Sequence, residues 1–161
     1  MFGLALSIGG LGGVATWLSF GPLAGFVTIW AIFIGWAQYF HNGADNAALK
    51  NTIVCSIYGA VLAGVAFILM GLIPLGDILT APVWVAVTVF ILVMGASIPA
   101  FSVIPSAVYG YAATAAYVIH VGGSATAMDM TNPVLVVSLS IIVGALFGLA
   151  SAKLSAMISG S

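Results

Sequence analysis

The hydrophobic pattern of this chain is one of long apolar runs, broken by five short polar or turn-forming segments. The breaks are Phe20, Gly21 and Pro22; His41, Asn42 and Gly43; Pro74, Leu75, Gly76 and Asp77; Pro99 to Pro105; and Gly122 to Pro133. They carry the glycine, proline and asparagine chemistry of turns. Between them lie six stretches, near Gly3 to Ser19, Pro22 to Phe40, Thr52 to Ile73, Pro82 to Ser97, Pro105 to His120 and Pro133 to Met157. A bilayer core of roughly 30 Å needs about 20 apolar residues per helix. A helix also satisfies every backbone group inside hydrocarbon. The pattern therefore predicts an all-α polytopic membrane protein of about six transmembrane helices, in a single helical domain over residues 1–161, with the fourth and fifth helices short. Pro22, Pro82, Pro105 and Pro133 each fall where a helix would begin, a place where the missing N–H costs nothing.

Composition narrows the picture further. Apolar residues make up 63% of the chain and charged residues 3%, with a mean hydropathy of +1.32, whereas a soluble domain is about one quarter charged. The charges are Asp45, Lys50, Asp77, Asp129 and Lys153, so no basic footprint for nucleic acid exists, and the expected surroundings are a lipid bilayer. The amino terminus lacks the basic n-region of a signal peptide, and Met1 reads as the mature start of the first span. With six spans, Lys50 and Lys153 fall on one side and Asp77 and Asp129 on the other. The enrichment of lysine in cytoplasmic loops then places both termini in the cytoplasm.

Two patterns of small residues stand out. Ser7–Gly10 resembles Ser56–Gly59 and Ala107–Gly110, while Val27, Thr28 and Gly35 resemble Val87, Thr88 and Gly95, which predicts three tandem helical hairpins. Gly9 and Gly13, Gly59 and Ala63, Ala60 and Gly64, and Gly144 and Gly148 are each four apart, a spacing that lets helices approach closely in lipid. One reading is packing within the chain. The other makes Gly144 and Gly148 a contact between copies in a homo-oligomer.

Candidate chemistry is concentrated after the second span, in Gln38, His41, Asn42, Asp45, Asn46, Lys50 and Asn51. As a gate or vestibule, His41 and Asp45 would bind or relay protons, and the asparagines would replace a solute's hydration; the plainer reading is a solvated loop. A histidine in such a gate would make it pH-sensitive. Tyr58, Tyr109, Tyr111 and Tyr117 lie within spans and either line a path or bond neighbouring backbone. On the opposite side, Asp77, His120 and Asp129 form a candidate entrance, where carboxylates would attract cations or cap the helices that open at Pro82 and Pro133. No acidic or basic residue falls in the middle of a span, where ion-coupled sites reside. With two histidines on opposite sides and one cysteine, Cys55, in an apolar stretch, no metal site, nucleotide loop or nucleophile motif is expected, and neither a cofactor nor enzyme activity.

The run Phe33, Ile34, Gly35, Trp36, Ala37, Gln38, Tyr39 and Phe40, followed by Gly43, Lys50, Asn51 and Gly59, resembles the signature of a domain-of-unknown-function family of short bacterial inner-membrane proteins. The resemblance implies a bacterial inner membrane and about six spans, and it carries no catalytic residues. His41 and Asn42 depart from it, standing where small residues are expected. Three functions follow from these observations. The first is a channel or facilitator for a small solute such as urea, a short amide, ammonia or a small acid. The second is a structural or assembly subunit of a larger membrane complex. The third is an ion-coupled transporter using His41 and Asp45.

Overall fold

The structure, a computed structural model, describes residues 1–160 and is helical throughout, with no named strand among them. Six α-helices follow in order: α1 Phe2–Phe20, α2 Ile29–His41, α3 Asn46–Leu72, α4 Thr80–Gly95, α5 Ile104–His120 and α6 Pro133–Ser159. A single 3-10 turn, Pro99–Phe101, separates α4 from α5. Helices α1, α3 and α6 are long and apolar enough to cross a membrane, and α4 is a shorter apolar helix. This is the helical architecture of a polytopic membrane protein.

Two of the expected boundaries move. Helix α2 begins at Ile29 rather than Pro22, because Pro22 lies in a compact turn where Leu23 N–H bonds the Leu18 carbonyl at 2.9 Å and Gly25 adopts a φ of 84°. Extended Thr28 then starts the helix, its N–H donating to Ser140 Oγ at 2.9 Å. Helix α3 begins at Asn46 rather than Thr52, because the Asp45 carboxylate accepts the Ala48 N–H at 2.6 Å and caps the first turn. Asn46, Lys50 and Asn51 are consequently helical and not part of a loop. The prolines at the other helix starts behave as expected. Pro133 is the first residue of α6, Pro105 the second of α5 and Pro82 the third of α4, all within the turn whose N–H groups lack helical partners.

The chain divides into two compact units, residues 1–53 with 139–161, and residues 54–138. In the first unit α2 and α6 cross at backbone contact. A Cβ on Gly35 would meet the Ile141 backbone, one on Gly144 the Ile32 carbonyl, and one on Gly148 the Tyr39 ring. Trp36, 3% exposed, seals this crossing. Its ring stacks on Phe33 at 5.8 Å and tilts against Phe147 at 5.5 Å, and its Nε1 donates to Ser151 Oγ at 3.0 Å. In the second unit α3 and α5 cross in the same manner, with Gly59 against the Ala107 carbonyl and Gly110 against the Ser56 backbone. Ser56 Oγ donates to the Ser106 carbonyl at 3.0 Å across this crossing. Around it pack Cys55, Leu62, Ala63, Ala66, Leu92 and Tyr111.

The glycine pattern therefore serves packing within the chain. The face holding Gly144 and Gly148 is filled by α2 and is not free for a second copy, since Ile32 and Tyr39 already occupy it. Gly64 likewise lies against Val134. Gly9 and Gly13 do the opposite of what their spacing suggests, with no atom within 4 Å of a Cβ placed on either. The three motifs matched in sequence also play different parts. Gly9 and Gly10 face open space, whereas Gly59 and Gly110 sit at one helix crossing.

Candidate functional site

The polar segment after α2 is a capped turn. Helix α2 ends at His41, and Gly43 and Ala44 reverse the chain with φ values of 114° and 59°. The left-handed Ala44 is held at both polar groups: its N–H bonds the Tyr39 carbonyl at 3.0 Å, and its carbonyl accepts the Tyr39 hydroxyl at 2.7 Å. Asn42 Nδ2 donates to the fully buried Thr52 Oγ1 at 2.8 Å, fastening the turn to the second turn of α3. His41, Asp45, Asn46 and Lys50 are exposed, while Gln38 is buried. Because the helix stops at His41, His41 and Asp45 do not share a helical face. Asp45 spends its carboxylate on the α3 cap.

The tyrosines divide. Tyr58 is half-buried, its ring stacked on Phe101 at 4.3 Å and its hydroxyl donating to the Ile91 carbonyl at 2.9 Å, so it is a packing residue against α4. Tyr109 is 42% exposed and points away from the interior. Tyr111 is buried, its hydroxyl 3.0 Å from that of fully buried Thr88, which also bonds the Trp84 carbonyl at 2.7 Å.

On the opposite side Asp77, His120 and Asp129 are all exposed. Asp77 does not cap α4. That helix starts after Leu79, and the Thr80 hydroxyl ties the turn by donating to the Gly76 carbonyl at 2.6 Å and accepting the Leu75 N–H at 2.7 Å. Nor does Asp129 cap α6. The cap is Asn132, whose Oδ1 accepts the Val134 N–H at 2.9 Å while its Nδ2 donates to the Ala125 and Ala127 carbonyls at 3.1 and 2.8 Å. Asp129 accepts the Thr131 hydroxyl at 2.5 Å and its N–H at 2.8 Å, and these bonds hold its carboxyl below the usual range. A cleft of ≈ 380 Å³ opens beside this loop, walled by Phe67, Ile68 and Val118 with Ser124 and Thr126 at its rim.

All five charged side chains are exposed. The buried polar side chains among the described residues, by contrast, are serine, threonine and glutamine. Two of these hydroxyls, Thr114 Oγ1 and Ser138 Oγ, are buried without a protein partner, and both belong to the second unit. Neither residue stands out in the sequence, where a threonine or serine in an apolar run is indistinguishable from one bonded to its own helix. Asn132 was more legible: an asparagine immediately before a helix-opening proline is a start signal. Among the described residues no group of three His, Cys, Asp or Glu side chains could hold a metal ion. A family model described as proteins of unknown function matches residues 5–156. No curated protein and no solved structure matches the chain.

Proposed function

The chain belongs to this family of proteins of unknown function, DUF1097, which supplies no activity to inherit, and we propose from its own interior that it is a passive pathway for a small neutral solute of the urea, short-amide or ammonia class. The observation that carries this reading is the neutrality of the buried polar groups together with the unpartnered hydroxyls of Thr114 and Ser138. A buried hydroxyl without a partner costs about 1–3 kcal/mol, and a water or a hydrogen-bonding solute offsets that cost. A neutral amide matches such groups, and it needs no buried countercharge. The pathway lies in a bacterial inner membrane, with Lys50 and Lys153 on the cytoplasmic side. Coupling to protons through His41 and Asp45 draws no support from the turn that holds them, since both are exposed and Asp45 is a helix cap.

The test is solute flux into proteoliposomes, read by light scattering with urea, formamide and ammonia in turn. Flux is expected without a proton or sodium gradient, and Thr114→Val is expected to reduce it severalfold while the protein stays folded. A second reading, an assembly subunit, is favoured by one feature of α1, where Gly9, Gly10 and Gly13 face open space beside exposed Leu6 and Trp17. Absence of flux, together with stoichiometric co-purification of another membrane protein in mild detergent, would replace the first reading with this one.

A further inference from the structure

We propose that the chain is an internal duplication of one three-helix repeat, α1–α3 and α4–α6, whose two copies thread the bilayer in opposite senses. The proposal stands apart from the solute reading and rests on four correspondences. The first joins α2 to α5. Ile29 and Ile104, Gly35 and Gly110, and Ala37 and Ala112 are identical pairs 75 positions apart, and Trp36 matches the aromatic Tyr111. Over residues 31–40 and 106–115 the sequence of buried, half-buried and exposed positions is the same at every place but one, Ile34 against Tyr109.

The second joins α3 to α6, both 27 residues long. At a spacing of 85, Ile57, Gly59 and Ala60 meet their identities in Ile142, Gly144 and Ala145, and the buried Thr52, Cys55, Ala63 and Ala66 meet buried Val137, Ser140, Gly148 and Ser151.

The third correspondence is reciprocal contact. Gly35 meets Ile141, and Gly110 meets Ser56; Gly144 meets Ile32, and Gly59 meets Ala107. Ile141 and Ser56 are equivalent at the α3 to α6 spacing, and Ile32 and Ala107 at the α2 to α5 spacing. Identities between apolar, glycine-rich helices arise easily, but contacts that map onto one another residue by residue do not follow from composition. The fourth is the division of the chain. The cut in α3 falls after Ile53 and the cut in α6 after Ser138, again 85 apart. Each unit thus holds the first two helices of one repeat and the later part of the third helix of the other.

Opposite threading follows from counting. Where all three helices of a repeat cross, the number of crossings is odd, so the second copy enters from the face where the first ended. Inverted repeats of this kind recur in membrane transport proteins.

The duplication makes a specific demand on one further pair. Tyr39 lies against Gly148, and their equivalents are Thr114 and Ala63, both fully buried. The experiment uses the full-length protein carrying Cys55→Ala with Thr114→Cys and Ala63→Cys, treated with mercuric ion and then assayed for free thiols. Loss of both thiols is expected, whereas each single cysteine should keep its own after washing with a competing monothiol; retention of both in the double variant overturns the duplication. Threading is read separately, on otherwise native protein, from Ala24→Cys and Ala100→Cys in the connections α1–α2 and α4–α5, using a membrane-impermeant maleimide on oriented vesicles. The two should label from opposite faces, and labelling from one face overturns the inverted threading. Opposite labelling with no solute flux would leave the duplication standing and remove only the pathway reading.

Discussion

The two helix crossings, α2 with α6 and α3 with α5, share a backbone solution and differ in what surrounds it. In both, a glycine on each helix brings main chain against main chain, the packing that substitutes in lipid for a hydrophobic drive. Around Gly35 and Gly144 the gaps are filled by large rings: Trp36 between Phe33 and Phe147, with its N–H on Ser151, and Tyr39 over Gly148. Around Gly59 and Gly110 the corresponding places hold Tyr111 and Thr114, and hydroxyls replace ring area. The first crossing is an aromatic lock in which the Trp36 N–H and the Tyr39 hydroxyl are both bonded. The second carries the unpartnered Thr114 hydroxyl, and Ser138 in the same unit adds another. One backbone arrangement thus serves rigidity in one place and an available hydrogen bond in another, the choice being made by side-chain volume.

Four sets of substitutions test whether the two crossings are equivalent. The largest effect is expected from Gly35→Val and Gly110→Val. Each drives a side chain into facing backbone that cannot yield, so each should cost about 3 kcal/mol, the upper end for overpacking, and abolish the monodisperse peak in detergent size-exclusion chromatography; Gly9→Val, in open space, should leave it intact. If Gly110→Val alone were tolerated, the two crossings would not be equivalent. Next, Asn132→Ala removes the α6 cap and both loop bonds, and Asp45→Ala removes the α3 cap. Losses of about 1–2 kcal/mol are expected for each, the first larger, read as a fall in thermal unfolding midpoint.

Trp36→Phe and Tyr111→Phe come third. Each deletes one buried polar contact, and interhelical bonds in membranes average about 0.6 kcal/mol, so small downward shifts in the midpoint are expected. Ser151→Ala combined with Trp36→Phe should add little beyond the single change. The smallest effect concerns the exposed Asp129. Its folded carboxyl lies below the ordinary range, so its bonds to Thr131 are complete above the unfolded value and are lost as pH falls through the lowered folded one. Proteolytic nicking of the 122–132 loop should therefore increase only at strongly acid pH, and Asp129→Asn should flatten that dependence.

Much of the helical frame was legible because apolar length is a strong signal. Helices α1, α4, α5 and α6 lie within a few residues of their expected bounds. The start of α2 is masked in the sequence because Pro22 offers a helix-opening signal that the glycine turn around it overrides, and the start of α3 because Asp45 reads equally as a solvated charge or a cap. The candidate site was legible only in outline. Polar residues such as His41 and Lys50 attract attention by their rarity and turn out to be exposed, while Thr114 and Ser138 are ordinary in type and unusual only in surroundings.

The amino-acid sequence alone dictates the solvent of this protein and the number of its helices, because a chain with so few charges can hide its backbone only as helices in lipid. It also determined where close approach was affordable, by placing glycine. Which glycines meet was decided by the tertiary structure alone. Gly9, Gly59 and Gly144 sit in similar local sequence, and only the partner helix, brought from far along the chain, distinguishes an empty face from a backbone crossing.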